Sequence, residues 1–380
     1  MSNNVYINRL SAFYPNEPVE NDDMEQYLGL VNEKSSLARR LILGKNGIMS
    51  RYYALNKSGE TTHTNVQMAA NAVNGLLDET MTLSQIDLLA CGTASPEQIM
   101  PSHGVMIHGE LKGSRHTEVV SFAGSCCASM HALKYAYFSV LAGDSMNAVC
   151  VASERLSAWM VARYFEKESE LINQLRKRPI LAFEKEFLRW MLSDGSVAVL
   201  LQNKPTEHAL SYRIEWIELT SYANEVETCM YAGGEKNDKG ELIGWASYPE
   251  SEWLNRSLFS LKQDTKLLDE NIIKLGGRFL KDIIDKRNFD LSTIDWFMPH
   301  LSSLYFEAKI DAELETYGYV IPKNKWFINL PTIGNVGSVS PYAMLEGINR
   351  TGRVKRGDRI LLMVPESARF SYAFALLTAV

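Results

Sequence analysis

Two short stretches 208 positions apart are variations on one theme: "SQIDLLACGTAS" (Ser84 to Ser95) and "STIDWFMPHLSS" (Ser292 to Ser303). Each takes an Ile-Asp step into an apolar run and ends in small or polar residues, the pattern of a buried strand with a functional end. After each comes a small-residue turn that opens an apolar helix. Ser84 to Cys126 is 42 positions, and Ser292 to Asn335, in "TIGNVGSVSPYAMLEGI", is 43. The order then repeats: the first helix leads through Gly143-Asp144 into "NAVCVASE", the second through Gly357-Asp358 into "RILLMVPES". Any two α/β units share some likeness by chance, but here spacing and order match together. Duplication is the economical reading. Strands alternating with helices imply an α/β fold, with parallel or mixed sheets sandwiched by helices. The boundary is expected near Asn203 to His208, giving halves of residues 1–205 and 206–380.

One segment interrupts the repeat. Residues 155–192, from "RLSAWMVARYFEKESELINQLRKRP" onward, are charged and helical in pattern and precede the strand "DGSVAVLL". Such an insertion is more often a cover or a subunit contact than a catalytic part, and it is also placed to wall a substrate tunnel.

The turn before the first helix holds two of the chain's five cysteines side by side, in "AGSCCASMHALKYAYFSVLAG" (Ala123 to Gly143). After Ser125 this run carries one formal charge, Lys134, and is otherwise small, apolar or aromatic almost all round, which predicts a central helix closed by Gly143. If the halves pack about a pseudo-twofold axis, the equivalent turns at Cys126 and Asn335 approach each other, with His300 beside them. A cysteine at a helix N-terminus near an imidazole is biased toward thiolate, and free backbone N–H groups in the same turn can serve an oxyanion. Packed cysteines are commonly inert small hydrophobes. A local rival pair is Cys127 with His131, one helical turn apart.

Other functions lack their minimum signatures. Net charge is -6 and no basic tail or aromatic-basic stripe occurs, so nucleic acid is not an expected partner. The start "MSNNVYINRLSAFYP" has no basic-then-apolar signal, and no window is apolar enough to span a bilayer, so a cytoplasmic protein with no membrane partner is expected. The odd cysteine count without CxxC or Cys/His spacing predicts free thiols, with neither metal nor disulfide framework. HExxH, GxxxxGK[ST] and GxSxG motifs are absent, and no cofactor is expected.

The chain resembles the thiolase-fold condensing enzymes, specifically the ketoacyl-ACP synthase III group, over nearly its whole length. "NVYINRLSAFYPNEPVENDDM" and "GKNGIMSRYYAL" look like the opening strand, proline turn and following segment of that group, and "IDLLACGTASPEQIMPSHGVMIHGELKG" like its next strand and helix. "FAGSCCASMHAL" is similar to the nucleophile turn, "PHLSS" to the histidine turn and "GNVGS" to the asparagine turn. The resemblance implies a thiolase-like, duplicated five-layered α/β sandwich. It implies Cys126 as the acylated nucleophile (Cys127 if the register slips by one), with His300 and Asn335 stabilising the enolate of a second thioester. The oxyanion N–H groups would be those of Cys126 and Ala368. Expected partners are acyl-ACP or acyl-CoA thioesters, an acyl carrier protein and a second copy of the chain.

The family's glycine-rich C-terminal loop is replaced here by "PESARFSYAFAL", with Ser367, Ala368 and Arg369 in place of glycines. With the insertion, this looks similar to specialised-metabolite ketosynthases that form cyclohexanediones on the way to dialkylresorcinols and stilbenes by Claisen and Michael steps. Such chemistry needs a base for an acidic C2 proton, and Glu154 at the end of "NAVCVASE" is the candidate. Its alternative is a structural carboxylate bonded to backbone or to Arg155. Two further readings remain: an acyltransferase moving the Cys-bound acyl group to an alcohol or amine, and a catalytically silent partner subunit, against which the intact Cys, His and Asn argue.

Overall fold

The computed structural model describes residues 4–164, 187–207, 209–256 and 258–380. Nine strands form its main sheet: β1 (Tyr6–Phe13), β2 (Leu88–Thr93), β3 (Glu118–Ala123), β4 (Ala148–Glu154), β5 (Gly195–Gln202), β6 (Tyr212–Ser221), β7 (Trp296–Pro299), β8 (Arg359–Glu366) and β9 (Ser371–Ala379). Their spatial order is β7-β8-β9-β6-β1-β5-β4-β2-β3.

That order splits into two matching sets. In the first, β3, β2 and β4 are parallel while β5 and β1 run antiparallel to their neighbours. In the second, β7 and β8 are parallel, with β9 and β6 antiparallel. Where the first set has β3, the second has a parallel bridge from Phe297 to Trp326. So β2 corresponds to β7 and β4 to β8, the pairs that the sequence repeat matched. In the sheet the sets join at Tyr6↔Arg213 and Ile7↔Tyr212 of β1 and β6. β5 ends at Gln202 and β6 begins at Tyr212, while His208 between them lies outside the described residues.

The main helices are α1 (Asn65–Asn74), α2 (His103–Glu110), α3 (Ala128–Ala142), α4 (Thr265–Arg287), α5 (Glu307–Thr316) and α6 (Ser340–Arg350). Local chemistry sets their ends. Thr64 and Gln67 form a capping box at α1, the Asp264 side chain accepts from Leu267 N–H at α4, and Gly143 closes α3 at φ 79°.

Buried side chains fall into three clusters, and these define the layers. One holds α1 and α2 residues against β2, β4 and β5. A second holds α4 and α5 with β7 to β9. The third gathers the opposite strand faces of both halves around α3 and α6. Helix, sheet, paired central helices, sheet and helix give a layered α/β sandwich of thiolase type.

Two details seat the central helices. The Tyr342 hydroxyl on α6 donates to the Ser129 carbonyl on α3 at 2.7 Å. Gly92, near the end of β2, has α3 against it so closely that a Cβ there would lie 2.5 Å from Ala128 C and Ser129 N. Only a residue without a side chain lets the helix start so near the strand.

The helix is less enclosed than its composition predicts. Met130, Ala132, Leu133, Ala136 and Val140 are buried, but Tyr135 and Phe138 are exposed along one side, and His131 is exposed with them. This bare side lies against the exposed edge strand β3. In the interruption after β4, residues 165–186 lie outside the described residues. Its described flanks are a 3-10 turn (Leu156–Trp159) and the segment 187–194. Among the described residues no helix is long and apolar enough to cross a membrane.

Gly92→Ala must push α3 off β2. Overpacking of this kind costs about 1–3 kcal/mol, so the denaturation midpoint in urea should fall measurably; an unchanged midpoint would contradict the close approach.

Candidate active site

A cavity of about 980 Å³ opens where the two halves meet, and residues from distant parts of the chain share its wall. Cys126 comes from the turn before α3, His300 from the segment after β7, Asn335 from the turn before α6, and Ala368 from the β8-β9 hairpin. The rest of the wall is mostly apolar. Trp159, Leu188 and Leu192 come from the flanks of the interruption, and Trp245, Trp253 and Phe259 from the excursion between β6 and α4. These last three rings meet edge-on or tilted, with centroids 5.3 to 6.2 Å apart.

The adjacent cysteines face different surroundings. Cys126 lines the cavity and is partly exposed. Cys127 caps α3, is buried, and gives its Sγ–H to the Val364 carbonyl at 3.4 Å. His131 stacks on Phe122 at the outer surface, 6.1 Å between centroids, so the rival Cys127/His131 pair has no opening to the cavity. All five cysteines are free thiols.

The sequence led us to expect a thiolate-biased Cys126 in a turn with free N–H groups; the structure instead sets a carboxylate against that turn, which takes the N–H groups on either side of Cys126 but not its own. Ser125 N–H and Cys127 N–H donate to one oxygen of the Glu366 carboxylate, at 3.2 and 3.0 Å. Burial, and after it the charge of Glu366, push the Cys126 thiol up to about 12. The helix dipole does favour anion at this place, but a carboxylate already holds the donors.

His300 continues β7, its N–H bonded to the Met363 carbonyl of β8 at 2.8 Å. Burial lowers its imidazole to about 4, so it is neutral near pH 7 and carries one ring N–H donor. Asn335 is held between Asn335 N–H to the Met191 carbonyl, 3.0 Å, and Ser193 N–H to the Asn335 carbonyl, 2.9 Å. Its Oδ1 accepts from Gly337 N–H at 3.0 Å, which turns the amide NH₂ into the end available as a donor. The insertion's far flank therefore positions a site residue. Ala368 is anchored through its carbonyl, which accepts from Cys229 and Met230 N–H at 2.9 and 3.1 Å. Phe370, not a glycine, supplies the positive φ of 58° that closes this hairpin.

Glu154 does not line the cavity. It is fully buried behind the wall, where its carboxylate accepts from Ala94 N–H (2.9 Å), Ser95 Oγ–H (2.6 Å), Ser338 N–H (3.2 Å) and the Ser338 hydroxyl. Burial raises its pKa. With its lone pairs occupied, the structural reading of Glu154 fits the geometry and the base reading does not. Arg155 is not its partner, pairing instead with Glu97.

Sequence reasoning missed Glu366 and the aromatic wall from 245–259. A carboxylate standing in "PESARF" at a loop expected to carry glycines was the available signal for the first. For the second, three large rings in a short polar excursion were the only hint. Among the described residues no cluster of three or more His, Cys, Asp or Glu is arranged to hold a metal ion.

The family model for the 3-oxoacyl-[acyl-carrier-protein (ACP)] synthase III C-terminal region matches residues 284–377. A beta-ketoacyl-[acyl-carrier-protein] synthase III from Clostridium perfringens is 24% identical over 361 residues, covering 95% of each chain. Among solved structures, OleA from Xanthomonas campestris with bound lauric acid and lauroyl-CoA superposes with a TM-score of 0.74 at 19% identity, over 100% of both chains. The tetronic acid condensing enzyme AbyA1 superposes at 0.73 and 18% identity, over 98% of this chain and 99% of its own. The fold is that of the thiolase-type condensing enzymes. The likenesses together support a ketoacyl-ACP synthase III-like condensing enzyme of acyltransferase type.

Burial of His300 has a consequence for pH. The unfolded chain binds a proton at this histidine below about 6.5, while the folded chain does not until about 4. This group's contribution to stability is therefore present above 6.5 and is lost as pH falls toward 4, by about 3 kcal/mol in all. Nitrogen-edited NMR of the imidazoles should show His300 neutral at pH 5; titration near 6.5 would contradict its burial.

Proposed function

We propose that this enzyme is a Claisen-type ketosynthase working through an acyl-Cys126 intermediate. One observation carries the reading: Cys126, His300, Asn335 and Ala368, from four separate segments, stand on the wall of one cavity. The Cys126 sulfur attacks an acyl thioester, releasing the carrier thiol and leaving the acyl group on the protein. The backbone N–H groups of Cys126 and Ala368 are the donors proposed for the oxyanion of that step. A second thioester then places its carbonyl oxygen between the His300 ring N–H and the Asn335 NH₂. A neutral imidazole and an amide whose oxygen is already engaged suit this donor role, which stabilises the enolate as it forms. The enolate carbon attacks the acyl carbonyl, and the Cys126 sulfur leaves.

The cavity, at the upper end of the roughly 300–1,000 Å³ range of ligand pockets, has room for two substantial acyl groups. Its apolar and aromatic wall suits hydrocarbon or aryl chains. Acyl-CoA or acyl-ACP thioesters are the proposed substrates, with lauroyl-CoA bound by OleA as support for the former. Michael closure to a cyclohexanedione is the proposed fate of a β-ketoacyl and α,β-unsaturated pair. With Glu154 sealed behind the wall, the acidic C2 proton of that substrate is proposed to pass to water in the open cavity as the enolate forms on the His300 and Asn335 donors.

A homodimer is proposed as the working form. β3 is an edge strand with Val119, Val120 and Phe122 only half-covered, and Tyr135 and Phe138 of α3 extend the same apolar surface. An exposed apolar edge strand is an invitation to pairing.

Two measurements test these readings. Incubation with acyl thioesters followed by mass spectrometry should add one acyl mass, abolished in Cys126→Ala and retained in Cys127→Ala. His300→Ala and Asn335→Ala should still acylate but condense about a hundredfold or more slowly; normal condensation by either would sink the assignment, and acyl transfer to an alcohol or amine in place of C–C bond formation would replace it. In sedimentation velocity, the wild type should run as a dimer and Phe138→Glu as a species of lower mass.

A further inference from the structure

We propose that Glu366 is a positioning residue for Cys126: its carboxylate takes the backbone N–H groups on both sides of the cysteine and holds the side chain as a thiol in the resting enzyme. The proposal rests on Cys126 being the nucleophile, and it concerns a residue with no place in the acylation and condensation steps above.

The geometry is specific. Ser125 and Cys127 N–H groups converge on one carboxylate oxygen, so the backbone of Cys126 is clamped from before and after. Glu366 can hold that position because it is the last residue of β8, paired across the hairpin with Ser371. The neighbours Pro365, Ser367 and Ala368 line the cavity, so the same short segment forms its wall and fixes the turn opposite.

A helix start normally offers unpaired N–H groups and partial positive charge, which lower a thiol's pKa and make it reactive toward any electrophile. Here a buried carboxylate occupies those donors; burial raises its pKa while the Cys127 and Ser125 N–H groups favour its charged form, and that charge opposes a second one on sulfur. The other groups around the thiol do not reverse this. Glu154 on β4 adds a carboxylate, Cys127 and Tyr372 are buried neutral acids, and His300 after β7 is a neutral base. Arg163, across the cavity, is the cation on its described wall. The resting thiol is thus shielded from adventitious alkylation and oxidation. Attack is reserved for a thioester bound in the cavity, where the oxyanion donors are engaged by substrate.

The test is the pH dependence of iodoacetamide modification at Cys126, read by fragmentation of the peptide that carries both cysteines. In the wild type the midpoint should lie above pH 10, far from the ordinary value of about 8.5; a wild-type midpoint at or below 8.5 would overturn the proposal with no variant needed. Glu366→Gln keeps an oxygen that can accept the two N–H bonds and removes the charge. Its Cys126 should react at least tenfold faster at pH 8, with a midpoint lower by a unit or more. Glu366→Asp, which keeps the charge, should stay close to wild type. Matching profiles for wild type and Glu366→Gln would refute the role. Acyl labelling reads the nucleophile assignment separately, because alkylation reports the thiol whether or not it is ever acylated.

Discussion

The structure depends on how closely two helix starts approach between the sheets. α3 begins against the end of β2, where Gly92 removes the side chain that would block it, and α6 begins beside it with Tyr342 bonded to the α3 backbone. Behind this junction Glu154 collects donors from the loop after β2 and from Ser338 of the Asn335 turn. One buried carboxylate therefore ties the first half to the second. Removing the anion from such a network would leave several buried donors without partners, which offsets the cost of desolvating the glutamate.

Once the helix starts are fixed, the site follows from strand ends. β7 delivers His300 and β8 delivers Glu366 and the Ala368 hairpin, in the same parallel register that places β2 and β4 in the other half. The cavity lies between halves, so neither half contains it alone. Its electrostatics are unusual for the nucleophile role proposed for Cys126. Carboxylates at 154 and 366 and burial all favour the neutral thiol, and a neutral His300 supplies no compensating charge. Reactivity in such a site must come from preorganised donors acting on the substrate more than from a resting thiolate.

Sequence periodicity was informative where strands and helices are buried on defined faces. The repeat beginning at Ser84 and Ser292 mapped onto β2 and β7, and the helix after Cys126 appeared with its glycine stop. It was less informative where composition has two physical explanations. The aromatic side of α3 reads as core in sequence, but Tyr135 and Phe138 are exposed, because hydrophobic patterning reports the residue types on a helix face and not whether anything in the chain covers them.

What the sequence by itself determined is the set of local and periodic features: two equivalent strand-turn-helix units, their caps and glycine stops, and the polar residues at corresponding turns. These are carried by nearest neighbours and by hydrophobic patterning, so they survive without knowledge of distant contacts. Only the tertiary structure decided which way each polar group faces. Cys126 opens to the cavity and Cys127 to the Val364 carbonyl, Glu154 is walled off by four donors from two loops, and Glu366, 240 residues from Cys126, occupies the helix start. The reason is physical: a buried charge or donor takes its character from the partners that surround it, and here those partners come from segments that adjoin only after both halves have closed.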